Sequence, residues 1–171
     1  SFSNFYALTH PSQPNYIALW AGNTLGVTND NCPPAGSPYA VENLGHALEA
    51  AGKTWQAYSE DLPSAGSAVC TWNNSLYTRK HDPWTDFNNL THSNERPYSD
   101  LAIAEAGGTL PDLAFVIPNN CNNSHNTPGC SVTTGDNWLA AQLPAMISAV
   151  GSRGLVVLAW DEDDYASGNH I

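Results

Sequence analysis

Leu155-Val156-Val157-Leu158-Ala159-Trp160-Asp161-Glu162-Asp163-Asp164 is the stretch on which the reading of this chain turns: five apolar residues and a tryptophan run straight into four acids. A continuous apolar run of this kind reads as a central strand buried on both faces, as in a parallel sheet. The acids then lie just past its C-terminal end, where open α/β sheets place their ligands. Adjacent carboxylates repel one another unless a cation or bound protons compensate. Asp161 and Glu162 are therefore candidate ligands for a divalent metal ion of unspecified identity, with His170 close behind. Taken alone, such a run would pass for a solvated acidic turn. What argues otherwise is that other strands of the chain end in the same way.

Upstream, Gly151 and Gly154 frame the turn into this strand. Before them, Thr134-Gly135-Asp136 opens a helix through Trp138, Leu139, Leu143, Met146, Ile147 and Val150, which Pro144 is expected to kink. Leu113-Ala114-Phe115-Val116-Ile117 reads as another buried strand, ending at Pro118-Asn119-Asn120-Cys121-Asn122-Asn123-Ser124-His125. Strand, helix and strand make a β-α-β unit, whose right-handed crossover joins parallel strands. One sheet edge then receives Asn119 and His125 from one loop and Asp161, Glu162 and His170 from the other. At the start of the chain, Phe2 to Leu8 reads as a strand and Ile17 to Gly22 as a helix. Ser12 falls near the N-cap, with Pro14 in the first turn. The free N–H groups there favour an anion, although the plainest role for Ser12 is to cap. If the first strand is also parallel, Ser12 arrives at the same edge.

Between these parts, residues 23–37 form a loop and Pro38 to Ala51 a helix. Ser37 caps it, Val41, Leu44, Leu48 and Ala51 form its inner stripe, and Gly52 stops it. Thr54 to Tyr58 alternates as a strand and ends at Glu60-Asp61. Residues 62–100 show little periodicity and read as an irregular surface excursion. His81, in Arg79-Lys80-His81-Asp82-Pro83-Trp84, could reach a site from there, but a lone loop histidine is more simply exposed.

With 171 residues and 42% hydrophobic content the chain is long enough for one domain with a real core. Its net charge of -11 argues against nucleic acid or an anionic membrane as partner. An anionic substrate would need bound cations to reverse the local field. No apolar run is long enough to span a membrane, no signal peptide is visible, and nothing speaks to oligomeric state. Both ends read as cut, so residues 1–171 are expected to be one domain from the interior of a longer chain. Four cysteines allow three pairings. Their spacing fits no zinc motif, and the preferred pairs are Cys121 with Cys130 and Cys32 with Cys70. Sequons at Asn73, Asn89 and Asn122, with an even cysteine count and scarce lysine, favour a secreted, N-glycosylated protein of the extracellular space or cell wall.

A hydroxyl at a helix N-terminus, a carboxylate pair and two or three imidazoles suit metal-assisted attack on phosphorus. A Ser-His-Asp triad for acyl transfer fits less well, because the chain has no G-x-S-x-G elbow. Calcium binding by Asp161 to Asp164 is weaker still, since the spacing matches no EF-hand loop.

Thr9-His10-Pro11-Ser12-Gln13-Pro14-Asn15-Tyr16, Pro118-Asn119 with His125 and Cys130, Gly135-Asp136-x-Trp138, and Trp160-Asp161-Glu162-Asp163-Asp164 with Asn169-His170-Ile171 occur in a familiar order. In this the chain resembles the phosphoesterase group of acid phosphatases and phospholipase C-like enzymes, within the alkaline phosphatase superfamily, and most of all secreted fungal acid phosphatases. The resemblance spans almost the whole chain. It implies a three-layer α/β/α sandwich with a mainly parallel central sheet, and metal-dependent hydrolysis of small phosphorylated substrates. Ser12 matches the nucleophile, which is also a metal ligand. Asp161 and Glu162 match the acidic metal pair, and His170 the catalytic histidine of the closing N-H motif. Asn119, His125 and His81 match substrate-binding positions, His81 in an H-D-P sequence where the family has H-N-P. A further metal-binding carboxylate of the family, on an earlier strand, has no counterpart here. The implied reaction is phosphomonoester hydrolysis through a serine phosphoenzyme. The other readings are a phospholipase C-type diesterase and a non-catalytic secreted glycoprotein that keeps the fold as a scaffold.

Overall fold

The computed structural model describes residues 3–125 and 127–171. Its centre is a parallel sheet in the order β4-β1-β5, built from β1 (Trp55–Ser59), β4 (Glu95–Pro97) and β5 (Leu113–Ile117). β1 pairs with β5 from Trp55↔Leu113 to Ser59↔Ile117, and with β4 from Ala57↔Glu95 to Ser59↔Pro97. Four helices flank this sheet: α1 (Ser12–Ala21), α2 (Leu44–Ala50), α3 (Ser99–Gly107) and α4 (Val132–Val150). A two-stranded antiparallel hairpin, β2 (Thr71–Trp72) and β3 (Tyr77–Thr78), lies apart from it.

Strand alternation divides the core into two sides. Trp55, Ala57, Leu113, Phe115 and Ile117 face Ile17 and Trp20 of α1 and Leu44 and Leu48 of α2. Tyr58 and Val116 face Leu101 and Ala104 of α3 and Met146 of α4. The α/β/α layering expected from the sequence is therefore present. On the first side the indole of Trp20 meets Trp55, Trp84 and Phe115 edge-on, with ring centroids 5.0, 5.5 and 5.5 Å away. Such edge-to-face contacts add to the area that these rings bury. Both expected disulfides form, Cys32–Cys70 and Cys121–Cys130. Among the described residues no helix is long and apolar enough to cross a membrane.

Several expected elements differ. Residues 155–160 belong to no strand, and Leu155, Val157, Leu158 and Trp160 are 82%, 66%, 50% and 46% exposed. A strand requires a ladder partner, and β5 pairs with β1 alone. The β-α-β unit therefore lacks its second strand. At the other end, residues 3–8 contribute one antiparallel bridge, Tyr6 with His170, in place of a parallel strand, and Phe2, the first residue of the expected strand, is outside the described set. Helix α2 begins six residues later than expected, because Asn43, not Ser37, caps it by accepting the His46 N–H. Upstream, Tyr39 bridges to Phe87. The expected surface excursion is the largest correction. It supplies strand β4, leads into the unforeseen α3, and buries His81, Asp82, Trp84, Asp86 and Phe87. That buried segment is two short 3-10 turns, Arg79–His81 and Pro83–Asp86, which carry neither a helix nor a strand period.

Gly45 tests the packing around Trp20. A Cβ there would lie 2.5 Å from Trp20 Cζ2 and 2.8 Å from Leu90 Cδ2. Gly→Ala inside a helix ordinarily gains about 0.5–1 kcal/mol, whereas overpacking costs about 1–3 kcal/mol. Gly45→Ala is expected to lower stability by about 1–2 kcal/mol in urea unfolding. An unchanged or raised midpoint would show that the indole yields freely.

Candidate active site

Helix α1 carries the centre of the site. Ser12 is its first residue, follows Pro11 at the N-cap, and is 2% exposed. Its hydroxyl makes no cap; it donates to Glu162 Oε1 at 2.8 Å. The start of α1 is fixed by Asn15, whose Oδ1 accepts from the Leu8 and Thr9 N–H groups while its Nδ2 donates to the Thr9 carbonyl. The other Glu162 oxygen lies 2.5 Å from His10 Nδ1, and His10 Nε2 lies 2.9 Å from Asp163 Oδ1. Both contacts are hydrogen bonds only when both ring nitrogens carry protons. Tyr165 stacks on the imidazole at 3.8 Å. Asp163 also accepts the N–H groups of Tyr165, Ser167 and Asn169, which closes the acidic run into a compact turn. Burial works to raise its carboxyl, but these backbone donors and His10 outweigh it and hold Asp163 below the usual carboxylate range.

Asp161 sits in the opposite environment. Burial, with the neighbouring Glu162 charge, pushes its carboxyl up to about 6, against the pull of the Ser12 hydroxyl. Asp161 Oδ2 is buried with no hydrogen-bond partner among the described residues. An orphaned carboxylate oxygen beside a second carboxylate and a hydroxyl is a hard oxygen donor set, the kind that a divalent cation takes. Among the described residues no group of three or more His, Cys, Asp or Glu side chains is placed to hold a metal, so Asp161, Glu162 and Ser12 are a partial set.

The second half of the site comes from the segment expected at the surface. His81 is 3% exposed, with Nδ1 3.3 Å from Thr78 Oγ1 and its ring 5.1 Å from Tyr16 and 6.1 Å from His125. Burial, then the charges of Lys80 and His125, push its imidazole down to about 3, so it is neutral at physiological pH. Tyr16 links the halves. Burial and the fields of Asp161, Asp82 and Glu162 hold its phenol well above the usual range. Asp82, behind His81, accepts the Ser59 hydroxyl at 2.8 Å, and burial raises it to about 7. Lys80 Nζ donates to Asp30 Oδ2 at 2.8 Å and lies 3.5 Å from His125 Nε2.

Of the residues singled out from sequence, Ser12, Asp161 and Glu162 come together, and His81 and His125 come near one another. Asn119 is engaged elsewhere. Its backbone N–H and side-chain amide donate to Glu60 and Asp61, and its Oδ1 accepts from Cys121 and Asn122. His170 is exposed, its ring tilted against Tyr6 at 4.9 Å and its Nε2 3.3 Å from the Ser3 carbonyl, and no contact joins it to Ser12 among the described residues. Of the sequon asparagines, Asn73 is exposed, whereas Asn89 and Asn122 are half-buried with amides donating to Val41 and Glu60. Sequence reading missed His10, Tyr16 and Lys80. The histidine one residue before Pro11-Ser12 was the available signal for the first.

His81 and Asp82 have opposite pH dependences. The folded-state pKa of Asp82 is raised, so its stabilising contribution is present at low pH and lost as pH rises from about 4 to about 7. The folded-state pKa of His81 is lowered, so its contribution is present above about 6.5 and lost as pH falls towards about 3. Relative to wild type, Asp82→Asn is expected to lose stability on the acid side and His81→Gln to gain it. Urea midpoints from about pH 4.5 to 7.5 test this, and curves parallel to wild type would refute it.

A family model described as the Phosphoesterase family matches residues 2–166. A phosphatidylinositol-3-phosphatase of Mycobacterium tuberculosis is 43% identical over 97% of this chain and 54% of its own length. An acid phosphatase of Aspergillus fumigatus is 31% identical over 99% of this chain and 40% of its own length. For a phosphate-repressible acid phosphatase of Penicillium chrysogenum the values are 32%, 99% and 42%. The chain thus spans about half the length of these curated relatives or less. With nearly every residue covered by the family model, and with a hydroxyl and a carboxylate pair gathered at the start of α1, the chain belongs to the Phosphoesterase family.

Proposed function

We propose that this protein hydrolyses phosphomonoesters, with Ser12 as the nucleophile and a divalent metal ion held by Asp161, Glu162 and the Ser12 hydroxyl. The observation that carries the reading is the 2.8 Å hydrogen bond from Ser12 to Glu162, at a helix N-terminus and beside the orphaned oxygen of Asp161. The relatives named above, a phosphatidylinositol-3-phosphatase and two acid phosphatases, support a monoesterase over a phospholipase C-type diesterase.

In this reading Ser12 Oγ forms a bond to phosphorus and the bond to the leaving oxygen breaks. The Ser12 proton leaves along its hydrogen bond to Glu162 and is passed on to the leaving oxygen, so that Glu162 remains a carboxylate. Water then cleaves the phosphoserine and restores the hydroxyl. A cation held by Asp161, Glu162 and Ser12 would lower the pKa of the serine hydroxyl and offset charge on the phosphoryl oxygens. The N–H groups at the start of α1 face the same anion. Neutral His81 is a hydrogen-bond donor to substrate, not a proton source, because burial keeps it uncharged. Among the imidazoles His10 is nearest to Ser12, through Glu162. His170 would protonate the leaving oxygen only after leaving Tyr6. His125, beside Lys80, completes the substrate side, and Asn119 shapes its loop. Two disulfides and an exposed Asn73 support a secreted glycoprotein.

Turnover of a chromogenic phosphomonoester by wild type and Ser12→Ala tests this, with metal content measured in parallel. Ser12→Ala is expected to cost at least about 1,000-fold in kcat, and an acid-quenched wild type to carry phosphate on the peptide containing Ser12. Equal activity in the two forms would remove Ser12 as nucleophile. A wild type that is metal-free and inactive would favour the scaffold role.

Chelation is expected to abolish turnover and a divalent cation to restore it. Asp161→Asn should resist restoration, since it removes the carboxylate that holds an oxygen in reserve. Full restoration in Asp161→Asn would place the metal elsewhere.

A further inference from the structure

The chain carries five basic side chains against sixteen acids, so an anionic substrate meets an adverse field almost everywhere. Four of the five are committed or distant. Lys53 pairs with Asp112 on the surface, Arg79 with buried Asp86, and Arg96 with Asp100. Arg153 lies with Thr54 and Asp112 at the opposite edge of the sheet, where β1 and β5 begin. Lys80 alone stands at the site. It immediately precedes His81, is 16% exposed, and lies 3.5 Å from His125 Nε2.

Lys80 is also held in place. Asp30 Oδ2 accepts from Lys80 Nζ at 2.8 Å, while Asp30 Oδ1 accepts the backbone N–H of Gln13 at 3.0 Å. Gln13 follows Ser12 and is itself tied to the same loop, its Nε2 donating to the Asn29 and Asn31 carbonyls. One carboxylate therefore fixes the ammonium to the first turn of α1, the turn that presents Ser12. An ammonium has three N–H donors, and among the described residues Asp30 and His125 face two of them.

From this placement we infer that Lys80 contacts the non-bridging phosphoryl oxygens of the substrate and sets the preference for a phosphomonoester over a diester. The inference rests on the phosphoryl-transfer reading above. A monoester has a second ionisation near pH 6, so at neutral pH it is a dianion, whereas a diester carries one charge. A fixed point charge close to the phosphoryl group favours the dianion. Asp30 acts as the positioning residue. The preference should weaken below about pH 6, where the monoester takes up a proton.

The test uses the metal-loaded enzyme. kcat and KM are measured for a phosphomonoester and a phosphodiester with the same leaving group, at about pH 5 and pH 7.5, and inorganic phosphate binding is measured by calorimetry. Lys80→Gln is expected to lose about 10- to 100-fold in kcat/KM on the monoester, mostly through KM, with a smaller loss on the diester and weaker phosphate binding. The monoester loss should shrink at the lower pH. Lys80→Arg should keep both phosphate binding and the preference, which shows that the charge matters and the fold survives. Equal losses on both substrates at both pH values, with phosphate affinity unchanged, would reduce Lys80 to a structural ion pair. If wild type turns over neither ester, the phosphatase reading fails. Phosphate binding then still decides the role of Lys80: weakened in Lys80→Gln it stands, and unchanged it falls.

Discussion

Helix α1 must satisfy two incompatible surroundings within ten residues, and the rest of the structure follows from how it does so. Its C-terminal half puts Ile17 and Trp20 among Trp55, Trp84 and Phe115, where any shift would open voids in close-packed rings. Its N-terminal half puts Ser12, Gln13 and Asn15 below 9% exposure with polar side chains that need partners. Those partners are long-range: Glu162 for Ser12, the 29–31 loop for Gln13, and residues 8–9 for Asn15. A helix wedged at one end by aromatic packing thus holds its other end at a fixed position. That rigidity lets one hydroxyl meet one carboxylate pair, while Asp30 ties the Lys80 ammonium to the same turn.

The second constraint is the cost of acids. Asp82, Asp86 and Glu95 are each 1% exposed, and burial raises all three carboxyl groups. Charged carboxylates at such positions need partners, or they take up protons. Arg79 serves Asp86, Ser59 serves Asp82, and Thr85 and His92 serve Glu95. The buried side of His81 is therefore a polar layer, not an apolar wall. The imidazole itself lies within reach of the Thr78 hydroxyl, and burial keeps the ring neutral. A neutral imidazole and a charged lysine in adjacent positions give the site two kinds of donor from one 3-10 turn.

The layering was legible in the sequence where one period ran long enough. The Leu113–Ile117 strand and the helix through Trp138 and Met146 appear close to their expected bounds, and the helix ending at Gly22 stops where expected but begins at Ser12. The carboxylate pair and Ser12 were legible as chemistry and do meet, although by a different route. The expected route was a shared sheet edge. The observed one is a hydrogen bond across 150 residues, with His10 pinned to the same glutamate. The buried 81–87 segment was illegible because 3-10 turns rich in Asp, Pro and Thr imitate a loop, and its burial is imposed by α1 and β1 from outside. Lys80 was illegible as a site residue because charge placement follows from Asp30, fifty residues away in sequence.

The apolar run that precedes the carboxylates stays outside the sheet, and this changes what holds them. In an open α/β sheet, a strand end fixes a catalytic carboxylate through its ladder. Here residues 155–160 have no ladder, and Leu155 and Val157 are exposed. The acidic turn instead closes on itself, with Asp163 accepting three backbone N–H groups, and is anchored to the start of α1 through His10 and Ser12. Asp163 is thus the structural acid of the run, His10 the clamp, and Asp161 the one with an oxygen in reserve. The four adjacent acids are not equivalent, because backbone donors stabilise the charge on one and burial destabilises it on another. It is that inequality, more than the count of carboxylates, on which the proposed cation site rests.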